Sequence, residues 1–148
     1  MLNRIFASAL LIILACGPLA EVQQTYIAPD LLAGSLPGLV DEFYTHCPSD
    51  NKPKVIALVH RLPEGDGTAP TAVARATYVS DKGEGMVFFL LDYFLKASDN
   101  QRRFLVAHEL LHASFGVEHD SSVLMRGDGI TTQEANQLTW SDVEKYCK

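Results

Sequence analysis

Apolar positions change period several times along this chain, and each change predicts an element. Between residues 35 and 47, "SLPGLVDEFYTHC", the side chains of Leu36, Leu39, Val40, Phe43 and Tyr44 recur at three- and four-residue intervals. That is one face of a helix, with Ser35 as its N-cap and Pro37 accommodated in the first turn. Residues 54–62, "KVIALVHRL", are β-branched and bounded by proline on both sides, which predicts a strand. "PEGDGTAP" (63–70) is loop, and "TAVARATYVS" (71–80) alternates as a second strand. After a tight turn at 81–85, the apolar run "MVFFLLDYFL" (86–95) reads as a buried third strand. The expectation to this point is a helix and then three strands in a mixed or mostly antiparallel sheet.

The pattern then returns to the helical period. Ser98, with Gln101 three positions on, forms a capping-box signature, and Gly116 supplies a left-handed stop. At about 100° per residue, Phe104, His108, His112 and Phe115 share one face, while Val106, Leu110 and Ala113 take the opposite one. Apolar residues on both sides place this helix inside the domain. Histidines on a buried helix need polar partners. "VEHDSSVLMRGDG" (117–129) turns the chain back, "TTQEANQL" (131–138) makes a helical turn, and "TWSDVEKYCK" (139–148) closes as a helix capped by Thr139 or Ser141. The fold class expected is α+β in one domain, because 148 residues with 47% apolar composition can build a single core.

The first twenty residues stand apart. Arg4 precedes an apolar run from Ile5 to Ala15, too short for a comfortable membrane span and typical of the centre of an export signal. Two endings are open: a cut after Ala20, or a lipobox-like "ILACG" in which Cys16 becomes the lipidated first residue. Residues 21–34 would be a tether and 35–148 the folded domain. The chain is then exported, either secreted or held at the cell envelope, and touches a membrane only through that anchor. Setting Cys16 aside leaves Cys47 and Cys147, which in an exported chain suggest one disulfide stabilising by about 3–5 kcal/mol, with two free thiols as the alternative. The formal charge of −6 without a basic cluster excludes a nucleic-acid footprint.

The chemistry concentrates in "HELLHASFGVEHD" (108–120), which holds three of the five histidines. His108 and His112, four apart on a helix, point the same way and can reach one ion. Glu109 sits one position round the helix, within reach of a water on that ion. His119 follows the glycine bend as third ligand. Three imidazoles and one water make a catalytic zinc site rather than a closed structural one.

With "SVLM" (122–125 bracketing Met125), this stretch resembles the metzincin clan of zinc metallopeptidases, whose signature is H-E-x-x-H-x-x-G-x-x-H followed by a methionine in a tight turn. The resemblance covers residues 98–126, and more weakly 71–95. It implies a zincin-like fold, with a twisted mixed sheet packed on the active-site helix and a small C-terminal helical subdomain. It implies one Zn2+ held by His108, His112 and His119, Glu109 as general base, and Met125 as an apolar floor beneath the imidazoles. It also implies a peptide or protein substrate lying along an edge strand at Ala74 and Ala76, hydrolysed by a monomeric endopeptidase. Gly116 and His119 each fall one position later than the signature places them. Either the helix accommodates one extra residue, or the spacing is literal and Glu118, or Asp120, replaces His119. The competing function is a zinc-binding interaction module without catalysis. The tripeptide "RGD" at 126–128 is a chance match to an adhesion motif.

Overall fold

The computed structural model describes residues 25–27, 35–63, 72–78 and 84–148. The expected export signal at 1–20, with Cys16, and residues 21–24 and 28–34 of the expected tether lie outside the described residues. Within residues 21–34 the chain forms strand β1 (Thr25–Ile27), which corrects the expectation of a plain tether. Three residues carry no readable period, and the partner strand is thirty positions away, with Thr25 opposite Val55.

Helix α1 (Ser35–His46) follows and buries Leu36, Val40 and Phe43, the face its spacing predicts. Strands β2 (Val55–Val59), β3 (Ala74–Ala76) and β4 (Met86–Leu90) complete a four-stranded sheet in the order β1-β2-β4-β3. The sheet is mixed: β1, β2 and β4 are parallel, and β3 runs antiparallel to β4 at the edge. Each of the expected strands is shorter than its apolar run. The largest correction falls at 86–95, which is not one strand. It is β4 followed at once by helix α2 (Leu91–Lys96). The burial period shows why. Val87 and Phe89 are buried at alternating positions, and then Leu91 and Phe94 are buried three apart. Asp92 in the first turn and Lys96 in the last suit the helix dipole.

Helix α3 (Asp99–Phe115) packs on α1 and against β3 and β4. Both of its ends are set by local chemistry. Ser98 Oγ accepts from the Gln101 N–H at 3.3 Å, and Gln101 Oε1 accepts from the Ser98 N–H at 3.1 Å. At the other end Gly116 adopts φ 64°, a conformation that a Cβ makes costly, and its N–H bonds His112 O at 3.2 Å. Phe104, Val106, Leu110, Leu111 and Ala113 are buried, so the helix runs through the core as its two apolar faces require. Truncating Leu110 to alanine would cost about 2–5 kcal/mol.

The short helices α4 (Thr132–Ala135) and α5 (Trp140–Glu144) close the chain, each behind a threonine capping box at Thr131 and Thr139. A disulfide joins Cys47, at the end of α1, to Cys147, with Cα atoms 5.4 Å apart. Such a bond is compatible with an extracellular protein. Among the described residues no helix is long and apolar enough to cross a membrane.

Candidate metal centre

The last two turns of α3 carry His108, Glu109 and His112 into a cleft of about 880 Å³. The opposite wall is β3 and its flanks, including Ala74 and Ala76. The chain after Gly116 returns across the mouth and brings His119 to the same place. The ring nitrogens of His108, His112 and His119 that face inwards all lie within 4.8 Å of one another. His108 Nε2 stands 3.0 Å from His112 Nε2 and 3.3 Å from His119 Nε2.

The outer nitrogens explain why the inner ones converge. His108 Nδ1 donates to the carbonyl of Leu124 at 2.6 Å, and His112 Nδ1 donates to the carbonyl of Val117. A carbonyl only accepts, so the proton of each neutral ring is on Nδ1 and the Nε2 lone pair is free. Two such lone pairs facing each other have no proton to share. A cation between them resolves the conflict, and the residues therefore fit a metal ion. Nitrogens bound to one tetrahedral zinc at about 2.0–2.1 Å stand about 3.3 Å apart, close to the two separations measured from His108.

Burial tunes the same groups. His108 is pushed down to about 4, chiefly because burial penalises its charged form. Burial also lowers His112. Both rings thus stay neutral at physiological pH, the form that binds metal. Glu109 is 6% exposed, and burial pushes its carboxyl up to about 8. Its Oε1 is 3.9 Å from His108 Nε2, so it borders the cluster without entering it. A cation held by the three rings would favour its ionised form.

Helix α3 continues unbroken to Phe115, and the glycine turn then swings His119, rather than Glu118, into the cluster. Asp120 is occupied elsewhere: its carboxylate accepts from Tyr146 Oη at 2.6 Å and from the Ser122 N–H at 2.7 Å. Gly127 lies against the third imidazole, and a Cβ built there would meet His119 Nδ1 at 3.2 Å. Met125 is fully buried in the turn that follows, one residue beyond the carbonyl that holds His108. Arg126 is held by Asp128 at 2.7 Å and Glu134 at 2.6 Å, so the "RGD" stretch closes on itself.

Sequence reasoning missed the partners that orient the rings. Leu124 and Val117 act through main-chain oxygens, which no residue type announces. Tyr146 is joined to Asp120 across 26 positions, and only a structure brings them together. Compared with known proteins, the chain matches no family model, no curated protein and no solved structure.

Proposed function

We propose that this chain is an exported zinc-dependent endopeptidase with a zincin-like fold of the metzincin kind. The observation that carries the reading is the convergence of three imidazole Nε2 atoms beside a buried glutamate, in a cleft walled by an edge strand. His108, His112 and His119 would hold the ion. The chemistry that zinc would supply there is the acidification of a bound water and the polarisation of a substrate carbonyl.

The remaining work falls to the chain itself. Glu109, one residue round the helix from His108, takes the attacking water's proton and passes it to the leaving nitrogen. A cation on the neighbouring imidazoles would favour its ionised form, the form that accepts that proton. Among the described residues strand β3 pairs with β4 on one side only, so its outer edge suits an extended peptide, with Ala74 and Ala76 leaving room beside the histidines. Met125 forms the apolar floor of the site.

The second reading is a zinc-binding module without catalysis, for which the three histidines alone would suffice. Purified protein loaded with one equivalent of Zn(II) and offered a fluorogenic peptide library separates the two. Hydrolysis that falls by several orders of magnitude in Glu109→Gln, with zinc retained, supports the peptidase. Stoichiometric zinc with no cleavage supports the module, and absence of zinc binding ends both.

A further inference from the structure

The loop that delivers His119 is tied to the C-terminal segment by a directed chain of hydrogen bonds. The Met125 N–H donates to Ser122 Oγ at 3.1 Å. Tyr146 Oη has one proton and donates it to Asp120 Oδ2 at 2.6 Å, so its 2.8 Å contact with Ser122 Oγ has the serine as donor. The Asp120 N–H then donates to Met125 O at 3.1 Å and closes the ring. One end of this chain is the residue after His119. The other is the residue after Leu124, whose carbonyl holds His108. Tyr146 is thus the one contributor from outside the loop, and it precedes Cys147, which is covalently fixed to α1.

We propose that Tyr146 is a positioning residue for the metal centre: its hydroxyl clamps the 119–125 loop, so the disulfide-anchored C-terminal segment sets how tightly the three histidines hold zinc. The inference rests on the reading of those histidines as a zinc site. It follows from where the clamp acts. His119 is the most exposed of the three rings and stands on a loop rather than a helix, so its placement depends on that loop's order. Partners behind metal ligands typically change affinity by about 10–100-fold when removed.

The test is Zn(II) affinity of the full chain, measured by chelator competition, together with the visible spectrum of the Co(II)-substituted protein, which reports ligand geometry. Tyr146→Phe is expected to weaken Zn(II) binding by about tenfold and to alter the Co(II) bands. Glu144→Ala, which removes the 2.8 Å pair of α5 with His46 but leaves the loop alone, is expected to change neither. Tyr146→Phe combined with Asp120→Ala should lose less affinity than the two single losses added together, because both remove the Tyr146–Asp120 bond, while only Tyr146→Phe also removes the bond to Ser122. If Tyr146→Phe fails to fold, Ser122→Ala interrupts the same chain from the loop side and should weaken binding likewise. Wild-type affinity in Tyr146→Phe, or additive losses in the double variant, overturns the clamp while leaving the zinc site standing. A wild-type protein that binds no Zn(II) overturns both.

Discussion

Replacing Glu109 by glutamine in the metal-free protein should change how stability responds to pH. In the fold Glu109 titrates at about 8, against 4.5 for a free glutamate. Below 4.5 the group is protonated in the folded and the unfolded chain, and stability is unaffected. Between the two values the unfolded chain releases a proton that the folded chain keeps, so stability falls as pH rises. At roughly 1.4 kcal/mol per unit, the loss over the whole range is roughly 5 kcal/mol, and the portion between pH 6.5 and 8 is roughly 2 kcal/mol. His108 works the other way. Held at about 4 against 6.5, it makes stability rise with pH through that lower window and adds little above it. The interval from 6.5 to 8 therefore isolates the carboxyl. Urea unfolding under chelator at those two pH values should show the wild-type midpoint falling while Glu109→Gln loses roughly 2 kcal/mol less. Saturating Zn(II) should flatten the wild-type response, since a neighbouring dication stabilises the carboxylate. Parallel responses in the two proteins would refute the reasoning, because they would mean that folding does not hold the proton on Glu109.

Three further outcomes are expected. His119→Ala should abolish stoichiometric zinc by isothermal titration, whereas Glu118→Ala should bind as wild type; the reverse result would restore the literal spacing of the motif. Gly127→Ala should weaken zinc binding by about tenfold with little change in fold, because the added methyl meets the His119 ring at 3.2–3.3 Å. Replacing Cys47 and Cys147 by serine should cost about 3–5 kcal/mol in urea unfolding, since the bond closes a loop of 100 residues. A loss below 1 kcal/mol would show that the unfolded chain is already constrained.

What could be read from the letters was local. Helix α3 announced both its ends, since Ser98, Gln101 and Gly116 act on backbone groups within four residues of themselves. The three histidines were legible because side chains able to share one ion must recur at a short, regular spacing. The run 86–95 was not, because an unbroken apolar stretch satisfies a strand and a buried helix equally. Its division at Leu91 depends on pairing with β2 and β3, which are distant in sequence. Strand β1 escaped for the same reason. The Tyr146–Asp120 bond joins two ordinary surface residue types and gave no signal.

The acceptors behind His108 and His112 have one more consequence. A peptide oxygen cannot be removed by exchanging a side chain, so the bonds to His112 and His108 do not themselves dictate which residue stands at 117 or 124; burial in the core restricts Leu124 instead. Adding or deleting one residue between them would carry both oxygens away from the rings they steer. This segment should resist altered length as firmly as it resists replacement of His119, and a mutational scan limited to replacements would pass over that constraint.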